Sequence, residues 1–215
     1  VNCRLSLVLY YSLFCIAFVL MTYYSRADAI AYYNKSFEFY PFSFGTRFVE
    51  YFVSIFSVFL NISYLGVFLI FNIIGFIGLI SFFSVLYNIA LNSTLNMKRL
   101  CWLIILLPSL SFWSAAIGKD SISFMAICLA LFSALNIKQH KVLFIVAIIL
   151  MFCVRPHIGG LLLLSFILSV TLNRSLGARV RIIVLLFAIP ASLIAVPFAL
   201  NYSGLNENIS VDSVN

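Results

Sequence analysis

The run Pro108-Ser-Leu-Ser-Phe-Trp-Ser-Ala-Ala-Ile-Gly-Lys-Asp120 carries an apolar segment into two adjacent charges, and a second apolar run ends in Arg155-Pro-His157. Only 9% of the 215 residues are charged, so charges at the ends of apolar segments stand out. Ionisable side chains in or near a bilayer cost free energy and usually serve a function. We therefore expect the two clusters to lie at the tips of adjacent hydrophobic hairpins and to mark the functional site.

Composition predicts the fold class. The residues are 64% hydrophobic with a mean hydropathy of +1.16, and short polar turns separate the long apolar runs. A water-soluble core of this size would need many more surface charges. We expect an all-α fold over residues 1–215: a single integral membrane domain built as a polytopic transmembrane helical bundle of about seven spans. The first apolar run lacks a small-residue cleavage site and is long enough to be a retained span.

Basic residues predict the orientation of the helices. With Arg4 in the cytoplasm, the inner loops hold eight basic residues and no acid, whereas the outer loops hold five basic residues and all six acids. This bias places the N-terminus in the cytoplasm and the C-terminus outside, with an outer polar tail over 201–215. The predicted spans are 5–24, 65–88, 100–117, 121–136, 142–154, 158–172 and 182–200.

Residues 25–64 form a predicted long outer loop. The loop is rich in Tyr and Phe, which suit short interfacial helices along the headgroup boundary. Residues 51–62 are assigned as non-spanning, because a crossing there would move every later loop to the opposite side of the membrane and remove the bias of basic residues toward the inner loops. The loop is either an aromatic belt that anchors the fold or a platform that guides an amphiphilic lipid-linked substrate.

Several of the later spans are short. At about 1.5 Å per residue, 142–154 reaches only ~20 Å, against a hydrocarbon core of roughly 30 Å. We therefore expect the hairpin tips to lie below the outer headgroups, in a hydrated depression lined by protein. Pro108 should kink its span and free a carbonyl for a neighbouring helix or a water-lined cavity. Pro190 and Pro197 should do the same in the last span.

Lys119 and Asp120 have two interpretations. In the first, Asp120 or Ser121 caps the following helix while Lys119 extends to the headgroups. In the second, Lys119 attracts a substrate phosphate.

Arg155 needs an anion if it lies beneath the interface. The candidates are Asp120, Asp28 and a substrate phosphate, which the planar guanidinium can contact through two parallel hydrogen bonds. Pro156 fits the first position of a helix, since its missing donor costs nothing there. His157 acts either as an acid or base or only as a hydrogen-bond donor.

Asp28 follows the first span directly. It is either a loop carboxylate that pairs with Arg26 or caps a short helix, or a base that deprotonates or orients an acceptor hydroxyl. Glu50 is the alternative base.

No residue pattern supports a cofactor. The five cysteines fall in or beside apolar runs without pairwise or metal-ligand spacing, and no Gly-rich phosphate loop or Cys/His cluster occurs. The formal charge of +7 comes from basic residues scattered between apolar segments, which favours membrane orientation over nucleic-acid binding. We expect no metal, no cofactor and no nucleic-acid partner.

Four short motifs together resemble a class of membrane proteins. They are Leu107-Pro-Ser109, Phe112-Trp-Ser114, Gly118-Lys-Asp-Ser121 and Arg155-Pro-His157. This pattern resembles the bacterial Wzy-like and EpsG-like oligosaccharide repeat-unit polymerases, within the broad GT-C class of membrane glycosyltransferases. The resemblance covers roughly residues 25–170.

The resemblance implies an inverting, metal-independent glycosyltransferase or polymerase of the bacterial inner (plasma) membrane. Such an enzyme transfers a sugar or repeat unit from a polyprenyl (pyro)phosphate at the outer face, in capsule, O-antigen or exopolysaccharide biosynthesis. Asp28 or His157 would accept the hydroxyl proton, and Lys119 and Arg155 would bind the lipid phosphates. The supporting residues are Asp120, Trp113 and Glu50. The implied partners are the bilayer, the polyprenyl-linked glycan and other polysaccharide-assembly membrane proteins.

Alternatives stay open. Such polymerases commonly have more spans than predicted here, and the chain begins with Val1 and stops soon after a span, so one alternative is a fragment of a longer protein. A second is a transporter or flippase for a lipid-linked or anionic substrate, although no internal repeat typical of transporters is evident. A third is a non-catalytic, truncated membrane subunit.

Overall fold

Helices make up the regular secondary structure of the computed structural model, which describes residues 2–24, 28–38, 41–91 and 93–172 and three isolated positions beyond them. No strand occurs in these ranges, in agreement with the all-α prediction. The helices are α1 (Asn2–Tyr24), α2 (Asp28–Lys35), α3 (Thr46–Ser54), α4 (Tyr64–Ala90), α5 (Leu95–Ile105), α6 (Pro108–Ser114), α7 (Lys119–Leu135), α8 (Lys141–Val154) and α9 (Pro156–Leu172). A 3-10 turn (Ser36–Glu38) follows α2, and a π-helical turn (Ile55–Phe59) follows α3.

Most predicted spans correspond to single helices, namely α1, α4, α7, α8 and α9. The prediction of one helix over 100–117 is wrong, because α5 ends at Ile105 and α6 occupies only Pro108–Ser114. The last predicted span, 182–200, lies outside the described ranges except for isolated positions, and the tail 201–215 lies wholly outside them.

Pro108 explains the break between α5 and α6. Proline lacks a backbone donor and starts α6 at its first position, where no donor is needed. The carbonyl of Leu106, in the break, accepts a hydrogen bond from the hydroxyl of Tyr10 on α1 at 2.6 Å. Helix α1 therefore satisfies a carbonyl within the break. The carbonyl that loses the donor of Pro108 is that of Ile104, and it accepts instead from the N–H of Leu107 at 3.3 Å, so the helix is interrupted and not merely kinked.

Helix α4 lies at the centre and packs against α1, α5, α6 and α7. Two glycines permit the close approach. A Cβ atom on Gly78 would lie 2.8 Å from the Cα atom of Met125 on α7, and one on Gly75 would clash with the carbonyl of Ser114 and the hydroxyl of Tyr11. Small residues at such crossings let helix backbones meet. Helix α4 therefore positions both α6 and α7.

In the part of the chain that the structure describes, two helical segments are long and apolar enough to cross a membrane, Tyr64–Ala90 and Leu95–Ser114. Three shorter apolar segments accompany them: Ser6–Thr22, Lys141–Val154 and Pro156–Thr171. Large apolar side chains cover the outward faces of α1, α8 and α9. More than half of the surface of each of these side chains is exposed: Leu9, Leu13, Ile16 and Leu20 on α1, Val142, Ile145 and Ile149 on α8, and Leu161 and Leu168 on α9.

The predicted loop 25–64 contains short helices, as expected. In its described part, α2, the 3-10 turn, α3 and the π-helical turn follow one another, and the hydroxyls of Ser36 and Ser57 share a hydrogen bond of 2.7 Å. The backbone N–H of Gly45 donates to the carbonyl of Cys153 at 2.8 Å. This bond joins the segment to the end of α8, next to Arg155.

Candidate functional site

A cavity of about 440 Å³ lies where the end of α1, the start of α2, the α6–α7 connection and the α8–α9 junction meet. Polar side chains from three separate segments line it together with apolar ones. The polar lining residues are Asp28, Tyr32, Lys119, Asp120 and Arg155, and the apolar ones include Phe18, Met21, Trp113 and Ile117. The two charged hairpin tips therefore share one basin, which we name the central cavity.

Arg155 occupies the junction between α8 and α9. Its N–H donates to the carbonyl of Met151 at 2.8 Å and ends α8, while Pro156 begins α9 without needing a donor. Its guanidinium Nη2 contacts Oδ1 of Asp120 in an ion pair. Of the two carboxylates predicted as partners of Arg155, Asp28 and Asp120, the structure places Asp120 against it.

The start of α7 places Lys119 and Asp120 at the cavity. Gly118 precedes the helix in an extended conformation, and no side chain caps the helix start. The expectation that Asp120 or Ser121 caps α7 is therefore wrong. The Ser121 hydroxyl instead donates back to the carbonyl of Ala116, which fixes the turn before the helix, and the Asp120 carboxylate is turned toward Arg155.

Lys119 and Asp28 complete the charges of the central cavity. Asp28 is exposed in the first turn of α2, and Lys119 is half-buried at the first position of α7. Among the described residues no carboxylate forms an ion pair with Lys119. Arg26, the predicted partner of Asp28, lies outside the described residues. Among the described residues the basin therefore holds one cation, Lys119, and one carboxylate, Asp28, without an ion-pair partner.

Tyr32 is a cavity residue that sequence reasoning missed as a site residue. It lies four residues after Asp28, so one face of α2 presents both side chains to the cavity. Burial, helped by three nearby carboxylates, raises the pKa of Tyr32 to about 12, while Arg155 acts in the opposite direction. The phenol is therefore a neutral hydrogen-bond donor at physiological pH. The i, i+4 spacing from Asp28 was the available signal.

His157 and Glu50 are not brought to the central cavity. His157 is exposed in the first turn of α9. Glu50 is buried on α3, and its Oε1 atom lies 3.8 Å from Nζ of Lys35. The structure thus separates these two predicted site residues from Asp28, Lys119, Asp120, Trp113 and Arg155, which it brings together.

The described residues include no group of three or more His, Cys, Asp or Glu side chains that could hold a metal ion. The chemistry offered by the cavity is that of two cations, two carboxylates, a phenol and aromatic walls. Such a set can bind a phosphate through its cations and accept a proton through a carboxylate.

In comparisons with known proteins, the chain matches no protein-family model, no curated protein and no solved structure.

Proposed function

We propose that the chain is an integral protein of the bacterial inner membrane with seven spans, its N-terminus in the cytoplasm and its C-terminus outside. The apolar outward faces of α1, α8 and α9 support this, because exposed ridges of Leu, Ile and Val are unfavourable in water and match lipid. Helices α8 and α9 are short, which suits hairpins whose tips lie below the headgroups.

A labelling experiment tests this topology. In a variant without native cysteines, Lys35→Cys should react with a membrane-impermeant maleimide in intact spheroplasts. Lys138→Cys should react only after lysis, because it lies in a predicted inner loop. Both lysines are exposed, so accessibility within the protein does not differ between them. Labelling of both cysteines before lysis would contradict the topology.

The function that we propose is transfer of a sugar or repeat unit from a polyprenyl (pyro)phosphate to an acceptor hydroxyl, in the assembly of a bacterial surface polysaccharide. The observation that carries this proposal is that Lys119, Arg155 and Asp28 line one cavity although they come from distant parts of the chain. Two cations facing a carboxylate suit a reaction with a phosphate leaving group and a hydroxyl nucleophile.

The proposed reaction is a single displacement. The acceptor oxygen forms a bond to the anomeric carbon while the bond from that carbon to the phosphate oxygen breaks, so the configuration inverts. Asp28 takes the hydroxyl proton, and the electron pair of the broken bond leaves with the phosphate. Lys119 and Arg155 stabilise the charge that develops on this leaving group. Neutral Tyr32 donates a hydrogen bond to a substrate oxygen.

The base is tested by exchanging each candidate carboxylate for an amide. In a host lacking the native gene, Asp28→Asn should abolish polymer, whereas Glu50→Gln should leave it, because Glu50 lies outside the central cavity. Polymer length is read from gels of extracted glycan, and immunoblots confirm equal protein levels. Full-length polymer with Asp28→Asn would refute the assignment of Asp28.

Two outcomes would favour other functions. Exchange of a lipid-linked substrate across liposomes, without formation of a glycosidic bond, would favour a transporter or flippase. An unchanged surface glycan after deletion of the gene would favour a non-catalytic membrane subunit.

A further inference from the structure

A second cavity, of about 570 Å³, lies between α6 and α7, and the Asp120–Arg155 ion pair is part of its lining. We name it the α6–α7 groove. Trp113, Asp120 and Arg155 line both the groove and the central cavity. The ion pair and one indole ring therefore form a shared wall, and a ligand held by Arg155 can extend into either space.

Ser123 gives the groove a buried polar side chain. This side chain lines the groove, only 4% of the residue is exposed, and its hydroxyl has no hydrogen-bond partner among the described residues. Serines in helices ordinarily donate to the carbonyl four residues earlier. Ser133 on the same helix does so, to Leu129 at 2.7 Å. Because buried polar groups are normally satisfied, an unpaired hydroxyl facing a cavity indicates a ligand.

Ser114, another serine of the groove, differs from Ser123 because its hydroxyl has hydrogen-bond partners. Its hydroxyl also lines the groove, but it accepts from the hydroxyl of Tyr11 at 2.8 Å and donates to the carbonyl of Leu110 at 2.6 Å. Its hydrogen bonds are complete within the protein. The third serine of the groove, Ser109, is exposed, so Ser123 is the buried groove serine without a hydrogen-bond partner in the described part of the chain.

Apart from the ion pair and three serines, Ser109, Ser114 and Ser123, the groove is lined by apolar side chains. Leu110, Phe124 and Ile127 line it beyond the ion pair. The groove therefore combines a guanidinium and a hydroxyl donor with a hydrocarbon surface. Because Arg155 carries five N–H donors, it can hold Asp120 and still present donors to a second anion.

We propose that the α6–α7 groove binds the lipid phosphate of the substrate, with Ser123 and Arg155 donating to the phosphate oxygens and the polyisoprenyl chain lying along Leu110, Phe124 and Ile127. This assignment rests on the proposed function and divides the site in two. The phosphate next to the lipid lies in the groove against Arg155, and the sugar-bearing phosphate and the acceptor hydroxyl lie in the central cavity with Lys119 and Asp28.

The test is a binding measurement that needs no sugar. Purified full-length protein in nanodiscs is titrated with a fluorescent long-chain polyisoprenyl monophosphate, and with the matching polyisoprenol as the uncharged probe. Ser123→Ala should weaken binding of the phosphate about tenfold, since it removes one hydrogen bond to a charged group. Ser133→Ala is the matched control on the same helix and should bind as the wild type does. Equal melting temperatures establish that both variants are folded.

A second variant tests the hydrocarbon part. Ile127→Trp should fill the groove and weaken binding of both the phosphate and the alcohol. Inorganic phosphate should not compete at concentrations at which the lipid phosphate does, because it lacks the chain. Wild-type affinity of Ser123→Ala for the lipid phosphate, or an equal loss for the alcohol, would overturn the assignment.

The outcomes separate this inference from the proposed function. Selective loss of phosphate binding in Ser123→Ala, together with wild-type protein that forms no glycosidic bond, would support the lipid-phosphate site and refute the transferase. Unchanged phosphate binding in Ser123→Ala, together with normal polymer, would overturn the groove assignment and leave the transferase standing.

Discussion

The guanidinium of Arg155, at the junction of α8 and α9, contacts the carboxylate of Asp120 in the first turn of α7. This ion pair joins the two charged hairpin tips, and both of its residues line the central cavity and the α6–α7 groove. Both side chains are partly exposed, 30% for Arg155 and 50% for Asp120. The pair is therefore placed where an anionic ligand can reach it.

Asp120→Asn should change ligand binding more than stability. Partly exposed ion pairs contribute only about 0–1 kcal/mol, so the free energy of unfolding should fall by less than about 1 kcal/mol. The variant removes the carboxylate that competes for Arg155, so affinity for a polyisoprenyl phosphate should rise. Chemical denaturation in micelles and the nanodisc titration measure the two quantities. Severe unfolding with no gain in affinity would show that Asp120 serves the fold alone.

The crossing of α4 and α7 should not accept a side chain at Gly78. A Cβ atom there would lie 2.8 Å from the Cα atom of Met125, and a backbone atom cannot rotate away. We expect Gly78→Ala to lower the free energy of unfolding by about 1–3 kcal/mol, because the steric clash costs more than the higher helix propensity of alanine contributes.

Gly118→Ala is the matched control. Its backbone is extended, with φ of 166°, and a Cβ atom would lie 3.9 Å from the ring of Tyr32, an ordinary contact. Stability should stay within about 0.5 kcal/mol of the wild type. Equal melting temperatures for the two alanine variants would contradict the close crossing of α4 and α7.

Tyr32 should ionise well above the ordinary range of tyrosine. Its pKa is raised from 10.0 to about 12, mainly by burial, so the folded state favours the neutral phenol. The stability contributed by this preference is complete below pH 10 and is lost as the pH rises toward 12. The difference in tyrosinate absorbance between wild type and Tyr32→Phe isolates this group. A difference signal that titrates near pH 10 would place Tyr32 in water instead of the cavity wall.

Apolar runs and polar turns predicted most of the helices because helix location in such a chain follows hydropathy. The interruption before Pro108 was harder to predict, since the hydroxyl of Tyr10, about a hundred residues earlier, stabilises it across the bundle. A proline alone is compatible with either a kink or a break. Tertiary contact decides between them.

Part of the candidate site could be predicted from the sequence, because charged residues are rare in this chain. Lys119 and Arg155 stood out against apolar surroundings, and the structure brings them to one cavity with Asp28. Because charges are scarce, Glu50 was also predicted as a site residue. Its ion pair with Lys35 depends on how α2 packs against α3, which the sequence does not reveal. Ser123 gave no signal, because a serine is conspicuous only once its missing hydrogen-bond partner is known.

Substitution of Arg155 tests the central claim most directly. In a host lacking the native gene, polymer length is measured for Arg155→Ala and Arg155→Lys at matched protein levels. Loss of one group that stabilises transition-state charge typically costs about 10²–10³ in rate. We predict that Arg155→Ala leaves only single lipid-linked repeat units. Arg155→Lys keeps the positive charge but loses the planar guanidinium, and it should retain a small part of the polymer. Polymer of wild-type length from Arg155→Ala would contradict the proposed site and its chemistry.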